Sequence, residues 1–520
     1  MKRNKKIKKK TKINTTKPEK KKTYNNSNKS FLDKLDPFNV FDKNIKKYIE
    51  YYGDDLNTVH KSYRSALKTL IPLTALIIVF SFLFSKIFLL SVPIILVVIY
   101  LYPVLYTWSK ASELKKYVNN EAPFISLVAY INSLVDKGLN HTFQELAEIK
   151  ELKVARIEQS FIDKMTSYMN MPFNNAIARR AEIHGGDMLG KLYSNYLAAL
   201  SLGITIRDRL RDTMRDLLNE LKDNYKTYVD KAGELTELIF SVFLLVPIVM
   251  IAFSFSFKSS VSLIQLFMPL AIAPALYFVI ASSQSIMGYN IKYKKYLPIF
   301  ILLPIIALLP HINLAVKTLL IVSVFTLFSY FIYPQITLAN DLEKYLPTLL
   351  KELSQYLRIG YTVENAIPRV KLTSKRVNKA IEKYMKDPEN VDSPSQLFNI
   401  TFKLLFLTSK SGTSPTALDE LGNAINEVVY TKNGIIRQLR LFDILTVLTP
   451  VMLWMTFSML GKIGSSSSIP VSLVIGSYSL ASAFLFAKIS RFTAFYFPTM
   501  LLLTIVIGII TFIPINLFPS

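Results

Sequence analysis

Residues 238–257 read LIFSVFLLVPIVMIAFSFSF, a run of twenty residues without a charged side chain. A bilayer core about 30 Å thick requires roughly 17–25 apolar residues in a helix that crosses it. The residues before this run, 206–237, are rich in charge and have helical periodicity. One segment therefore passes from a soluble amphipathic helix into a membrane helix, and this predicts an all-α, polytopic membrane protein with soluble helical modules.

The composition of the whole chain agrees with a membrane protein. Its 520 residues are 51% hydrophobic and carry a net charge of +25, and the mean hydropathy is +0.30. This combination is unlike that of an ordinary soluble domain or of a simple nucleic-acid-binding protein.

Nine apolar stretches are long enough to be considered membrane spans. They are residues 69–85, 87–107, 238–257, 263–287, 296–316, 318–338, 442–461, 469–487 and 493–515. The fifth stretch is the weakest because Pro298, Pro304 and Pro310 interrupt it, and a kinked or re-entrant segment is the alternative there.

Lysine and arginine are distributed very unequally between the two sides of these spans. If the N-terminus is cytoplasmic, 58 of the 62 basic residues lie in cytoplasmic segments. The other four, Lys86, Lys258, Lys317 and Lys462, occur singly in the outer turns. Because positive residues are retained inside, we predict a multi-pass protein of the cell membrane with a cytoplasmic N-terminus and an outside C-terminus.

The N-terminal segment is strongly basic. Residues 1–22 carry twelve Lys or Arg and a single acid, Glu19. A segment so rich in lysine and poor in apolar residues cannot bury a core, so we predict a disordered cytoplasmic tail over residues 1–47. A solvated arm that anchors the topology is the favoured interpretation, contact with anionic lipid or a partner is the alternative, and nucleic acid is disfavoured.

The sequence lacks the residue sets of the common chemistries. The interiors of the predicted spans hold no Asp, Glu, Lys or Arg, which disfavours transport, and Asp443 lies only at the mouth of the seventh span. Cysteine is absent, and four scattered histidines do not predict a metal site: His60, His141, His184 and His311. We therefore predict neither a catalytic set nor a cofactor or metal, and no enzyme activity.

One stretch resembles a phosphate-binding loop. GGDMLGKL at 185–192 has Gly185, Gly190 and Lys191 at the required spacing, but Leu192 replaces the hydroxyl residue that would hold Mg²⁺. The preceding AIARRAEIH is typical of a charged helix and not of a buried strand. Nucleotide binding is therefore disfavoured.

The spans divide the chain into modules. A hairpin of two spans, 69–107, is followed by a cytoplasmic helical module over 109–237, four spans over 238–338, a second module over 339–441 and three spans over 442–515. Apolar residues at helical spacing predict bundles, with one face in each module: Leu210, Met214, Leu217 and Leu221 in the first, and Leu418, Leu421, Ile425 and Val428 in the second.

Start and stop signals are clearest in the second module. SPSQLF at 393–398 and SPTALDEL at 414–421 each place a serine before a proline, as at a helix N-terminus, with Ser393 and Ser414 as the predicted caps. Gly412 fits the stop between the two helices.

The two modules are similar to each other. FISLVAYINSLVDKG ends at Gly138 and LPTLLKELSQYLRIG ends at Gly360, so each module begins with an amphipathic helix that a glycine closes. Each module then leads into a span with a proline, in VPIVM at 246–250 and TPVML at 449–453. These features favour an internal duplication, and chance similarity between amphipathic helices is the alternative.

This arrangement resembles the F-domain platform proteins of type II secretion, type IV pilus and archaellum machines. The resemblance covers residues 121–250 and 343–452, and the nine spans are similar to those of the archaeal branch. HGGDML at 184–189 and KSGTSPTALDEL at 410–421 resemble the element of that family in which glycine precedes a helix.

The resemblance implies a mechanical function. It implies an integral membrane platform at the base of a filament, which couples a cytoplasmic hexameric ATPase to the insertion of pilin subunits, and a homo-oligomer, dimer or trimer. The alternatives are a polytopic transporter or lipid-handling membrane protein, and a membrane scaffold unrelated to filaments.

One helix is the best candidate for the contact with the ATPase. IRDRLRDTMRDLLNEL at 206–221 places Arg207, Arg211 and Arg215 in one stripe and Asp208, Asp212 and Asp216 in the stripe beside it. Arg437 and Arg440, just before the seventh span, are further candidates. The alternatives are a solvated helix with weak ion pairs between residues three apart, and ordinary anchoring by positive residues.

Overall fold

The computed structural model describes residues 37–53, 56–83, 91–256, 267–284, 288–310, 312–388, 390–410, 414–463 and 471–512. Within these ranges the regular structure is helical and contains no strand, although one isolated bridge joins Tyr289 and Ser395. The chain divides into two compact units, Met1–Ala111 and Ser112–Ser520. The all-helical fold class is thus confirmed for the described residues.

The first unit begins with short helices. One helical turn, Pro37–Val40, precedes α1 (Asp42–Tyr52), and α2 (Leu56–Leu83) and the start of α3 (Ser91–Ser133) follow. The predicted disordered tail was therefore wrong for residues 37–47, which are helical because Ile45 is buried and Phe38 stacks on His60. Residues 1–36 lie outside the described ranges.

Five helices follow α3 in the second unit. They are α4 (Leu139–Ala147), α5 (Lys153–Asp163), α6 (Phe173–Ile183), α7 (Met188–Leu202) and α8 (Ile206–Phe240). One turn of π-helix, Lys164–Tyr168, extends α5. The predicted apolar face of α8 is confirmed, since all four of its residues are buried: Leu210, Met214, Leu217 and Leu221.

Helix α8 continues without a break into apolar sequence. A π-helical turn, Ser241–Leu245, joins it to α9 (Val246–Ser256). Next come a 3₁₀ turn, Met268–Ile272, and α10 (Ala273–Ser283). A second 3₁₀ segment, Lys294–Ile301, leads into α11 (Leu302–Leu308).

The second module is built from α12 onward. Helix α12 (Leu314–Arg358) is followed by a short turn, Val363–Ala366 with Ile367–Arg369, and by α13 (Lys375–Met385), α14 (Gln396–Lys410) and α15 (Pro415–Gln438). The predicted face of α15 is buried at all four positions, Leu418, Leu421, Ile425 and Val428. The last described helices are α16 (Leu441–Ile463), α17 (Val471–Arg491) and α18 (Phe497–Phe512).

One of the two predicted serine caps in this module is correct. The hydroxyl oxygen of Ser414 accepts the N–H of Ala417 at 3.2 Å, and Pro415 is the first residue of α15. The prediction for Ser393 was wrong because its hydroxyl donates to the carbonyl of Ser395. The hydroxyl of Ser395 instead accepts the N–H of Phe398 at 3.1 Å and caps α14. Gly412 lies outside the described residues.

In the part of the chain that the structure describes, four helical segments are long and apolar enough to cross a membrane. They are Ile206–Met250, Leu314–Arg358, Pro415–Met459 and Val471–Arg491. These segments contain the sixth predicted span and most of the third, seventh and eighth, and they support a helical protein embedded in a membrane. The remaining five spans and the orientation of the termini stay predictions; the fourth and ninth coincide in part with the shorter apolar helices Met268–Ser283 and Phe497–Phe512.

The fifth predicted span, 296–316, is not one continuous helix. Helix α11 ends at Leu308, and α12 begins only at Leu314, where the side chain of Asn313 accepts the N–H of Ala315 at 3.1 Å. The break coincides with Pro310, which cannot donate a helical hydrogen bond. Lys317 consequently lies in the first turn of α12 and not in a turn between helices.

The last helices pack closely against α12. Val322 of α12, Ala483 of α17 and Leu503 of α18 belong to one buried cluster. The hydroxyl groups of Thr326 and Thr504 are 2.6 Å apart and hydrogen-bond across α12 and α18. Interhelical hydrogen bonds of this kind hold helices together where the surroundings are apolar.

The two modules share an order of elements. Helices α7 and α14 each have 15 residues, each has a capped N-terminus, and each precedes a long helix after a short connection. HGGDML therefore corresponds by position to the segment around Ser395. KSGTSPTALDEL corresponds to the α7–α8 connection, since GIT at 203–205 and GTS at 412–414 both directly precede a long helix.

The glycines that were expected to close the first helix of each module also differ. Gly360 has φ of 94°, a left-handed conformation that favours glycine. Gly138 has φ of −79° and instead precedes α4 as its N-cap, while Asp136 takes the left-handed conformation in that turn, with φ of 59°. The prediction that Gly138 closes its helix was therefore wrong.

Candidate partner-binding surface

Helix α8 exposes the charged stripes that the sequence predicted. Five of the six side chains are exposed and Arg211 is partly exposed: Arg207, Asp208, Asp212, Arg215 and Asp216 form the exposed set. The opposite face is fixed in the core, with Leu217 fully buried and Leu210 nearly so. Burial of that face determines the rotation of the helix, so both stripes are accessible to a partner.

The ion pairs within the stripes are few and weak. Arg211 lies 3.5 Å from Asp208 and 4.0 Å from Asp212. Arg207 and Arg215 form no ion pair with any residue that the structure describes. Exposed pairs of this kind contribute about 0–1 kcal/mol, so most of this charge remains available for binding.

Two hollows flank the stripes. The first, of about 510 Å³, is bordered by Arg207 and Asp208 of α8 and by the turn between α3 and α4. The exposed side chains of Leu202 and Ile204 lie in or beside the connection that leads to it. The second, of about 470 Å³, is bordered by Arg215 on α8 and by Glu420 and Tyr430 on α15.

The second hollow lies where the two modules meet. Helices α8 and α15 pack side by side, and Lys222 forms an ion pair with Glu427 across them. Lys403 of α14 also pairs with Glu151 of the first module, at 2.6 Å. A partner bound in the second hollow would contact both modules at once.

Arg437 and Arg440 occupy a different place. Both are exposed, Arg437 in the last turn of α15 and Arg440 just after the helix ends, beyond the residues that border the second hollow. The acid that follows them, Asp443, is paired with Arg491 of α17 at 2.5 Å. The structure therefore does not place these two arginines in the surface formed by α8.

The first module contains a buried charge network that the sequence did not predict. Arg180 of α6 donates to both oxygens of Glu158 of α5, at 2.8 and 2.5 Å. Tyr193 of α7 donates to the same carboxylate at 2.8 Å. Arg180 and Glu158 are completely buried, so each charge depends on the other for compensation.

A histidine joins this network to the N-terminus of α7. Nδ1 of His184 lies 2.7 Å from Asp187, and Nε2 lies 3.1 Å from Glu158 and 2.8 Å from Arg180. Asp187 also accepts the backbone N–H groups of Leu189 and Gly190, both at 3.0 Å, and so caps α7. The imidazole therefore couples the helix cap to the buried ion pair.

The surroundings shift the pKa values of these groups. Burial alone would raise the pKa of Glu158, but Arg180 and His184 outweigh burial and hold it below its ordinary value. Burial opposes protonation of His184, but Glu158 and Asp187 raise the pKa of the ring above its ordinary value. Burial, with Glu158, raises the pKa of Tyr193.

Gly190 has a specific steric role in this network. A Cβ at this position would lie 2.3 Å from the carbonyl oxygen of His184, which is a backbone atom. The glycine of the apparent phosphate loop is thus required for the close approach of α7 to the His184 turn. Lys191 points elsewhere and pairs with Glu220 at 2.5 Å.

The second module buries a simpler ion pair. Lys432 of α15 lies 2.7 Å from Glu343 of α12, and both side chains are almost completely buried. Ser395 donates to Glu343 at 2.7 Å and also caps α14. Each module therefore links the N-terminus of its 15-residue helix to a buried acid.

The sequence contained only a weak signal for these networks. Glu158 occurs at helical spacing with Val154, Ala155 and Ile162, which are all buried, so a charge was visible on an apolar face. Its partners lie on other helices, and a single sequence does not show which helices meet. Within the described residues, no group of three or more His, Asp or Glu side chains is arranged to hold a metal ion.

Comparisons with family models, with curated proteins and with solved structures find no match to this chain.

Proposed function

We propose that this protein is the integral membrane platform of a type IV pilus-like filament assembly machine. In this role a cytoplasmic hexameric ATPase moves the helical modules, and the membrane helices pass the movement to pilin subunits that enter the filament. Membrane lipids surround the spans, and a dimer or trimer of platforms faces the ATPase ring.

One observation carries this proposal: each module is continuous with a membrane segment. Helix α8 passes from the first module into the apolar segment that ends at Met250, and α12 passes from apolar sequence into the second module. Because a helix is stiff along its axis, displacement of a module displaces the attached span. This arrangement supports mechanical coupling.

Contacts at the end of α17 support the same conclusion. Tyr228 of α8 donates to the carbonyl of Ile489 at 2.9 Å, and Gln284 donates to that of Lys488 at 2.6 Å. Asp443, which follows the second module, pairs with Arg491. The last turn of α17 thus contacts segments attached to both modules, and it is a suitable joint between them.

The direct test is deletion of the gene and replacement by the wild-type copy. We expect the deletion strain to lose surface filaments in electron micrographs, to retain pilin in the membrane fraction, and to recover filaments with the wild-type copy. The tagged protein should retain the assembly ATPase on an affinity column. Normal filaments in the deletion strain would show that the protein is not the platform.

A further inference from the structure

The first long helix presents a basic face directly before its apolar half. Six exposed residues of α2 follow helical spacing on one side: Asn57, His60, Lys61, Arg64, Ser65 and Lys68. They line a hollow of about 740 Å³. The opposite side is packed, since Val59 is fully buried and Ser62 hydrogen-bonds to Tyr102 of α3 at 2.9 Å.

The acidic residues close in sequence to this face all precede it, and the nearest are Asp54 and Asp55. Residues 56–112 contain no Asp or Glu. The helix runs without interruption from Leu56 to Leu83, and the apolar stretch 69–85 begins one residue after Lys68. The three basic residues of the face, Lys61, Arg64 and Lys68, therefore lie within about three helical turns of the predicted first span.

Aromatic residues of α2 and α3 lie beside the basic face of α2. Tyr63 contacts Tyr102, with ring centroids 6.0 Å apart, and Tyr102 stacks on Tyr106 at 5.9 Å. His60 stacks on Phe38 at 3.9 Å. Tyrosine is enriched where membrane helices pass through the headgroup region, so this cluster places the basic face at the height of lipid phosphates.

We propose that this face is a binding site for the phosphate of an anionic lipid headgroup. The planar guanidinium of Arg64 suits two hydrogen bonds to phosphate oxygens, and Lys61 and Lys68 supply point charges on either side of it. The hydroxyl of Ser65 and the amide of Asn57 are further donors to the phosphate. The site rests on the predicted first span and does not depend on the filament function.

Binding is measured on the full-length protein in detergent. The probes are a short-chain phosphatidylglycerol, the matching phosphatidylcholine, and inorganic phosphate alone, and native mass spectrometry counts the lipids retained. Because basic residues attract anionic headgroups, we expect the K61Q/R64Q/K68Q variant to bind phosphatidylglycerol at least about tenfold more weakly than wild type.

A matched variant removes the same charge elsewhere. K375Q/K379Q/K383Q, on α13, changes three exposed lysines of the second module and should bind the anionic lipid as wild type does. The proposal is overturned if both variants lose affinity equally, if phosphatidylcholine binds as tightly as phosphatidylglycerol, or if millimolar inorganic phosphate displaces the lipid. The last result would identify a soluble phosphate ligand instead.

Discussion

The two helical modules compensate a buried acid in different ways. In the first, Glu158 is paired with Arg180 of α6 and linked through His184 to the cap of α7. In the second, Glu343 is paired with Lys432 of α15 and bonded directly to Ser395, the cap of α14. The extra helix, α6, supplies the cation in the first module.

This difference has a mechanical consequence. All members of the first network lie on α5, α6, the turn after α6 and α7, so the network fixes the module internally. The second ion pair joins α12 to α15, and both helices belong to segments long and apolar enough to cross a membrane. The buried network of the first module therefore joins helices within that module. The buried ion pair of the second module joins two segments that are long and apolar enough to cross a membrane.

The largest expected effect comes from loss of the buried cation in the first module. Arg180→Met should destabilise the module by about 3–5 kcal/mol because it leaves Glu158 without its bidentate partner. Hydrogen exchange of the amides in 173–193, measured on the full-length protein in detergent, should become faster. We expect the exchange of α14 amides to change little.

The matching variant removes the buried cation of the second module and tests whether the two modules are stabilised separately. Lys432→Met should speed exchange in α14 and α15 and leave 173–193 near the wild-type rate. If either variant raises the exchange rate equally in both modules, the modules open as one unit. That result would contradict the view that each module is stabilised by its own buried ion pair. In the double variant E158L/R180M, which removes both charges, we expect part of the lost stability to return.

A smaller effect is expected from Gly190→Ala. The added methyl group would meet the carbonyl oxygen of His184, a backbone atom that cannot move aside cheaply, and overpacking of this kind costs about 1–3 kcal/mol. Thermal unfolding in detergent measures the loss. Gly186→Ala is the matched control because no atom lies within 4 Å of the position its Cβ would take. Equal losses in the two variants would contradict this role for Gly190.

The pH dependence of the two modules should differ by a smaller amount. Because the pKa of His184 is raised on folding, its contribution is complete below the ordinary value of 6.5 and is lost as pH rises through the raised pKa. Glu158, Arg180, Asp187 and Tyr193 face the ring. We expect the amides of 188–202 to exchange faster as the pH rises above neutral, because the ring then loses its proton and with it the contribution to local stability.

The control for this dependence is His184→Gln. It keeps a hydrogen-bonding side chain but has no proton to lose in this range, so the exchange of 188–202, corrected for intrinsic rates, should no longer change with pH. A wild-type module that becomes more stable as the pH rises above 7 would contradict the raised pKa of His184.

The sequence predicted those features that depend on local pattern. Burial of Leu217 and Leu421 follows from helical spacing, and the cap at Ser414 follows from the serine before Pro415. Features that depend on which helices meet were not predictable. Arg180 was visible only as a charge, and its contact with Glu158, 22 residues away, depends on the packing of α5 against α6.

Local sequence patterns also suggested wrong roles for some residues, because the same pattern can arise from more than one cause. Ser393 and Ser395 both precede a helical segment, and only the structure shows that the first hydroxyl is engaged with a carbonyl in the turn. Likewise the spacing of Gly190 and Lys191 suggests a phosphate loop, although the glycine serves a close backbone approach and the lysine pairs with Glu220. Spacing alone does not distinguish these causes.

The smallest effect on stability, and the most specific effect on function, is expected on the exposed face of α8. In R207E/R211E/R215E the buried face is unchanged and few ion pairs are lost, so stability should change by about 0.5 kcal/mol or less. The reversal inverts the charge of one stripe, and like charges across an interface cost several kcal/mol. Association with the assembly ATPase should therefore weaken and filaments should disappear, while membrane insertion is retained.

The control for this variant is R207Q/R211Q/R215Q, because the glutamates introduced beside Asp208 and Asp212 also repel those residues along the helix. Its binding should be intermediate. Co-purification of the ATPase and filament counts are the measurements, and wild-type values of both in the glutamate variant would assign α8 to solvent and not to a partner.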